Sequence, residues 1–131
     1  ASALPAEGTQ LLGVTVLTSH TDETLREVGA RGTVVDTVRQ LAILARDSGI
    51  DGVVCSPHEI GLIRETVGED MVIVTPGIRP RGSAKGDQAR VMTPGEALRL
   101  GCDYMVVGRP ITEAASPKDA AQAIVEEISR G

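Results

Sequence analysis

Four short apolar runs, each followed by a helix-forming stretch, restrict the folds open to this chain more than any other feature of its sequence. They are Leu11–Leu17 (LLGVTVL), Gly52–Cys55 (GVVC), Met71–Val74 (MVIV) and Tyr104–Val107 (YMVV). Runs of this length that are rich in β-branched residues are typical of strands buried on both faces of a parallel sheet. The sequence therefore predicts a series of βα units.

Amphipathic helices are predicted between and after these runs. Apolar residues share one helix face at Val34, Val38, Leu41 and Ala45, in a helix that Gly49 can end, and again at Ala121, Ile124, Val125 and Ile128. A further helical turn is predicted between Thr21 and Gly29, begun by a box of Ser19 and Asp22.

Three further helix starts share one pattern, a hydroxyl residue followed by proline and, at the third helical position, an acid. They are Ser56-Pro57-His58-Glu59, Thr93-Pro94-Gly95-Glu96 and Ser116-Pro117-Lys118-Asp119. The hydroxyl can accept a hydrogen bond from a free amide, and proline at the first position loses no bond. Each cap is expected to stabilise its helix by about 1 kcal/mol.

The order of these elements is βα repeated four times, which is half of a (β/α)8 TIM barrel. A complete barrel takes about 250 residues, and this chain has 131. We expect residues 1–131 to form a single partial α/β domain with parallel strands, in which residues 1–10 are a lead-in. The alternative architecture is an open flavodoxin-like regulatory domain, which usually carries an acidic cluster where its strands end.

The composition excludes several classes of function. The net charge is −5, and the chain has one Tyr and no Phe or Trp, which argues against general nucleic-acid binding. No apolar run is long enough to span a membrane, and a signal peptide is not recognisable. Cys55 and Cys102 lie in apolar runs without metal-type spacing, so we expect reduced, buried thiols and a cytoplasmic protein.

Basic residues follow two of the four predicted strands. Gly108-Arg109 comes directly after the fourth strand, where a glycine amide and a guanidinium could bind phosphate oxygens. Thr75–Met92 has no helical or strand periodicity and a local charge of +3, from Arg79, Arg81, Lys85 and Arg90 against Asp87. A loop of this length is usually a lid, a binding loop or disordered, and Arg109 could equally be a solvated surface residue.

Two polar residues complete the set of candidate ligand contacts. Thr18, after the first strand, offers a hydroxyl and an amide to a carbonyl or imide group, or only fills the turn. Gln88 can both donate and accept, and so could bridge a phosphate and a polar ring. His20 and His58 each stand beside a helix start and receive no role, and no cluster of metal ligands is recognisable.

Four segments together resemble the C-terminal half of bacterial orotidine 5'-phosphate decarboxylase, from about Leu11 to the end of the chain. They are LLGVTVLTS, GIDGVVCSPHE, VTPGIRPRGSAKGDQARVMTPGEAL and GCDYMVVGRPIT. The resemblance implies the last four βα units of a homodimeric barrel that converts orotidine 5'-monophosphate (OMP) to UMP and CO₂ with no metal or organic cofactor.

The resemblance also implies roles for individual residues. Thr18 matches a pyrimidine contact, Arg79 and Gln88 match ligand contacts of a loop over the phosphate, and Gly108 and Arg109 match the phosphate-binding pair. The family's catalytic DxKxxD motif is absent here, and the only lysines are Lys85 and Lys118. We therefore expect no catalytic residue in this chain, little activity of the chain alone, and association with a missing N-terminal half or a second copy. The remaining alternative is a non-catalytic half-barrel that binds a phosphosugar or nucleotide.

Overall fold

The computed structural model describes residues 8–80 and 92–129 and has the predicted alternation of strands and helices. The elements are β1 (Leu12–Val14), α1 (Asp22–Glu27), α2 (Val34–Asp47), β2 (Gly52–Val54), a 3-10 turn (Pro57–Glu59), α3 (Ile60–Val67), β3 (Val72–Pro76), α4 (Pro94–Arg99), β4 (Tyr104–Val106), α5 (Arg109–Thr112) and α6 (Pro117–Ser129).

The four strands form one parallel sheet in the order β1-β2-β3-β4. Leu12 pairs with Gly52, Gly52 with Val72, and Val74 with Tyr104. A flavodoxin-like sheet reverses its strand order at a switch point, whereas this order is sequential, as it is around a barrel. The α/β half-barrel prediction is thus confirmed, and the flavodoxin-like alternative is wrong. Among the described residues no helix is long and apolar enough to cross a membrane.

Two strands differ in extent from the prediction: β1 is shorter, and β3 continues further. β1 covers three residues of the seven in Leu11–Leu17, although the amide of Thr15 still donates to the carbonyl of Val54 at 3.0 Å. β3 runs on to Pro76, so the expected irregular loop does not begin at Thr75. Thr75 is fully buried, which places it in the strand rather than in a solvated loop.

The sheet buries one face under helices and leaves the other open. Val53, Ile73 and Thr75 are fully buried on the helix-covered face. On the opposite face, here called the inner face, the side chains of the two outer strands are exposed: Leu12 37%, Val14 58%, Tyr104 58% and Val106 52%. The expectation of strands buried on both faces is therefore wrong for β1 and β4, because half a barrel provides nothing to cover them.

The helix starts confirm two of the predicted caps and correct two others. The Thr93 hydroxyl accepts from the Glu96 amide, and the Asp119 amide lies 3.5 Å from the Ser116 hydroxyl. Ser56 makes no capping bond, and its buried hydroxyl has no hydrogen-bond partner. The first helix is capped by Thr21 with Thr24 rather than by Ser19 and Asp22. The Asp22 carboxylate instead accepts from the Val34 amide at 2.7 Å.

Arg64 joins the loops at the amino ends of β3 and β4. Its guanidinium donates to the carbonyl of Met71 at 2.7 Å and to the carbonyl of Gly101 at 2.7 Å, and it contacts the Asp103 carboxylate at 2.6 Å. The same carboxylate oxygen accepts from the Ile73 amide at 2.7 Å. Gly101 has φ +95°, and a Cβ there would lie 3.0 Å from Arg64 Nε. Glycine is therefore required both for the turn and for the approach of the guanidinium.

Candidate functional site

The carboxyl ends of the parallel strands meet at one edge of the sheet, and a cavity opens there between the ends of β3 and β4. The cavity has a volume of about 220 Å³. It is lined by Pro76, Gly77, Ile78, Arg79, Val106, Gly108, Arg109 and Pro110. Three of the five predicted site residues, Arg79, Gly108 and Arg109, are thus brought together.

The backbone at Arg79 is held by hydrogen bonding to Met92. Ile78, which precedes it, is 2% exposed and forms a parallel bridge with Met92. The amide of Arg79 donates to the carbonyl of Met92 at 3.0 Å. Gly77 has φ +78°, a conformation that glycine adopts without strain, and it turns the chain from β3 into this segment. The base of the predicted loop is therefore ordered, and Arg79 lies in that base.

Arg109 is positioned by the tight turn that leads from β4 into α5. Gly108 is the N-cap residue, and its carbonyl accepts from the amide of Ile111 at 2.8 Å and from that of Thr112 at 3.1 Å. No atom lies within 4 Å of the point where a Cβ on Gly108 would be. The turn thus leaves open space beside the Gly108 backbone, and Arg109 follows at the first helical position.

The cavity has the charge and shape of an anion site. Among the described residues, its lining contains two arginines and no acidic side chain, in a chain whose net charge is −5. Guanidinium groups stay charged in proteins and present planar pairs of donors that match phosphate or carboxylate oxygens. Pro76, Ile78 and Val106 form apolar parts of the wall. Arg79 is partly buried and Arg109 is exposed, so the two positive charges favour an anion here while solvent still screens Arg109.

The other two predicted contacts are not part of this cavity as described. Thr18 lies in the turn closed by the 3.0 Å bond from the His20 amide to the Leu17 carbonyl, after β1 at the far edge of the sheet. It is partly buried and is not among the residues that line the cavity. Gln88 falls outside the described residues, as do Arg81, Lys85, Asp87 and Arg90.

The sequence alone did not indicate the cavity walls. Ile78 and Met92 lie within the aperiodic stretch Thr75–Met92, and only their pairing shows that they form its base. Pro110, which follows Arg109, is recognisable in the sequence as a proline in the first turn of a helix. Pro76 and Pro110 both stand close after a predicted strand, and this position is the sequence signal for these two wall residues.

The titratable side chains elsewhere do not form a second reactive cluster in the part of the chain that is described. His58 is exposed, and His20 Nδ1 lies 3.4 Å from the Thr24 hydroxyl beside α1. Lys118 is exposed at the start of α6. No group of three His, Cys, Asp or Glu residues that could hold a metal occurs in residues 8–80 and 92–129.

Both cysteines are buried free thiols on the helix-covered side of the sheet. Burial raises the pKa of Cys55 to about 12, against a weaker opposing effect of the Thr75 hydroxyl, and burial also raises the pKa of Cys102. Because the thiolate is the reactive form, we expect both thiols to react with a disulfide reagent at pH 8 far more slowly in the native protein than in urea. Rapid native labelling of either thiol would contradict this.

The raised pKa of Cys55 also predicts that the protein is less stable at alkaline pH. The Cys55 thiol has its folded pKa near 12 and its ordinary pKa at 9.0, so the unfolded chain releases this proton first. The free energy of unfolding should therefore fall as pH rises above about 9, by at most roughly 1.4 kcal/mol per pH unit from this group. Urea titrations at pH 8, 9 and 10 measure this free energy, and in a Cys55→Ala variant it should depend less steeply on pH.

Comparisons with known proteins agree on one family. Residues 1–124 match the model of the orotidine 5'-phosphate decarboxylase / HUMPS family. The chain is 55% identical to an orotidine 5'-phosphate decarboxylase of Methylobacterium sp. (strain 4-46), over 97% of this chain and 54% of that protein. It is 57% identical to that of Geobacter sulfurreducens, over 95% of this chain and 52% of that protein.

A solved structure gives the same result for the fold. The crystal structure of the Lactobacillus acidophilus orotidine 5'-phosphate decarboxylase superposes with a TM-score of 0.79 and 43% identity, covering 95% of this chain and 52% of that one. The chain therefore spans about half the length of the relatives that it matches.

Proposed function

Since the chain belongs to the orotidine 5'-phosphate decarboxylase / HUMPS family, we propose that it is the nucleotide-binding, C-terminal half of an orotidine 5'-phosphate decarboxylase. In this role it binds OMP and its product UMP by the phosphate. The catalytic lysines and aspartates belong to the N-terminal half of the barrel, which these 131 residues do not include. The chain alone is inactive, and the assembled enzyme is a cytoplasmic homo-oligomer of pyrimidine biosynthesis that needs no cofactor.

The observation that carries the proposal is the cavity shared by Arg79 and Arg109. Its volume of about 220 Å³ is below the roughly 300–1,000 Å³ of sites that enclose a whole small ligand. It suits one end of a ligand, and its pair of guanidinium groups suits a dianionic phosphate. The Gly108 backbone beside it supplies open space for close approach of an oxyanion.

The remainder of the nucleotide extends from this cavity across the open mouth of the sheet. The strand order places β2 between the phosphate cavity and the turn that holds Thr18. The hydroxyl and amide of Thr18 contact the pyrimidine at the far end of the ligand. Gln88 joins the phosphate and the pyrimidine from the segment between Arg79 and Met92.

The phosphate is remote from the bond that breaks, yet its binding contributes to catalysis. Charge-assisted hydrogen bonds contribute about 1.5–3 kcal/mol each. Binding energy from such a remote group can be used to order the site and exclude water around the reacting carbon. This chain therefore supplies binding energy, and the missing half supplies the proton donor and the carboxylates.

The test is a comparison of UMP with uridine by titration calorimetry. We expect the wild-type chain to bind UMP more tightly than uridine, because only UMP carries the phosphate. Arg109→Ala should weaken UMP binding by about 10- to 100-fold, the loss of one charged contact, and leave uridine binding unchanged.

Arg99→Ala is the matched control, since Arg99 is an exposed arginine in the last turn of α4 and lies outside the cavity lining. UMP affinity of the Arg99 variant should stay within about twofold of wild type. Equal losses in the two variants would mean that net charge, rather than the cavity, attracts the nucleotide, and the proposal would fail.

A second candidate function is a non-catalytic half-barrel that binds a phosphosugar or nucleotide. Its support is that both arginines of the cavity come from this one chain, so anion binding needs no partner residue. This candidate is favoured if UMP binds to the chain but no complementary half gives turnover.

A further inference from the structure

The backbone at Arg79 is held from another part of the chain. Arg79 follows β3, whereas Met92, which holds it, stands two residues before α4. Ile78 forms a parallel bridge with Met92, and the amide of Arg79 donates to the Met92 carbonyl at 3.0 Å. The place of Arg79 in the cavity wall therefore depends on what keeps the Met92 backbone in place.

Met92 is kept in place by its own side chain and by the start of α4. The side chain is partly buried and packs against the apolar core that contains Ile78. The next residue, Thr93, is the N-cap of α4, and its amide donates to the Glu96 carboxylate at 2.9 Å. Met92 thus connects a capped helix to the segment that carries Arg79.

The two arginines of the cavity differ in how their backbones are supported. Arg109 is the first residue of α5, and the turn at Gly108 that precedes it is closed by hydrogen bonds within that turn. Arg79 lies beyond the end of β3, after Gly77, whose φ of +78° turns the chain out of the strand. Because charge-assisted hydrogen bonds to an oxyanion need donor distances of about 2.7–2.9 Å, Arg79 is the arginine whose placement needs outside support.

We infer that Met92 is a positioning residue for phosphate binding: its side chain, packed against the core, fixes the carbonyl that holds Arg79, so that Arg79 and Arg109 are arranged around one anion position before a ligand binds. The inference rests on the proposed function, because it adds a residue to the same site. Met92 is not among the residues that line the cavity, so it acts through Arg79. A donor that is ordered before binding loses less freedom on binding, which raises affinity.

The first measurement is hydrogen exchange of the Arg79 amide in the chain without ligand, read by NMR. Met92→Ala removes the side chain that packs against the core, so this amide should exchange about tenfold faster or more, because its acceptor is less firmly held. Met92→Leu keeps the volume of the side chain and should leave the exchange rate near that of the wild type. Met105→Ala is the matched control, since Met105 is also partly buried against the same core. It should not change the exchange of the Arg79 amide.

The second measurement is UMP affinity by titration calorimetry in a double-mutant cycle. Met92→Ala should weaken UMP binding by about 3- to 10-fold, which is part of the loss expected for one whole charged contact, and Met92→Leu should bind UMP as the wild type does. Residues that act through one another give non-additive effects. The loss from Met92→Ala should therefore disappear in an Arg79→Ala background and persist in an Arg109→Ala background. Met92→Val is a milder truncation that serves if Met92→Ala does not fold, and it should show the same pattern.

The outcomes separate the inference from the proposed function. UMP binding that is weakened by Arg109→Ala but not by Met92→Ala overturns the inference and leaves the proposed function standing. So does a loss from Met92→Ala that persists in the Arg79→Ala background, or an Arg79 amide that exchanges equally fast in Met92→Ala and Met105→Ala, since either result means a general loosening of the fold. If the wild-type chain does not bind UMP, the proposed function and the inference both fail.

Discussion

Replacing Arg64 by methionine should lower the free energy of unfolding by about 2–4 kcal/mol, because two partly buried carbonyls each lose a charged donor at a cost of roughly 1–3 kcal/mol. The Arg64 side chain is 9% exposed. Its loss would leave the carbonyls of Met71 and Gly101 without the donors that hold the two loops together. The midpoint of urea unfolding should fall while the slope is unchanged.

Two variants control this experiment. Arg64→Lys keeps the charge but cannot reach the carbonyls and the Asp103 carboxylate at once, so its loss should lie between wild type and Arg64→Met. Arg46→Met removes an exposed arginine, 46% accessible, that pairs with Asp47, and such pairs contribute about 1 kcal/mol or less. If Arg64→Met costs no more than Arg46→Met, the guanidinium does not hold these loops.

The order of elements could be predicted because it depends on local patterns. Val38 and Ala45 stand at helical spacing in the sequence, and both are buried on one face of α2. The Thr93-Glu96 box needs only its own four residues, and it forms as expected. Signals of this kind can be recognised within a short stretch of the sequence.

The errors occurred where the outcome depends on residues far away in the chain. Thr75 reads as loop because it precedes Pro76 and Gly77, yet pairing with β4 carries the strand on to Pro76. Ser19 and Thr21 both stand before α1. The Asp22 carboxylate that a Ser19 box would use instead accepts a hydrogen bond from the amide of Val34, twelve residues further along the chain. The Arg64 network could not be predicted, since its acceptors are mostly backbone carbonyls.

The candidate site was partly predictable for a related reason. Arg79 and Arg109 follow two strands that are consecutive in the sequence, and consecutive parallel strands are usually neighbours, so their approach to one cavity could be expected. The strand order also places Thr18 after the outermost strand, β1, away from this cavity. The sequence does not show directly that Thr18 is separated from the cavity, because that separation depends on the order of the strands in the sheet.

On the proposed function, the chain alone is expected to show no turnover, and mixing it with the complementary half of a relative should give OMP decarboxylase activity. The reason is that the proposed function assigns phosphate binding to the arginine cavity of this chain and proton donation to the other half, and requires both at one mouth of the barrel. Release of CO₂ and formation of UMP measure the activity. In the assembly, Arg109→Ala should reduce kcat/KM for OMP by about 10- to 100-fold, from the loss of one charged contact to phosphate.

The nucleoside orotidine separates phosphate binding from damage to the barrel. It lacks the phosphate, so its slow decarboxylation should be equal in the wild-type and Arg109→Ala assemblies if Arg109 acts only through that group. A loss with orotidine as large as that with OMP would mean that Arg109 supports the structure of the mouth. Activity of the unmixed chain would show that lysines outside the missing half can serve as proton donors, and the division of binding and chemistry between two halves would be wrong.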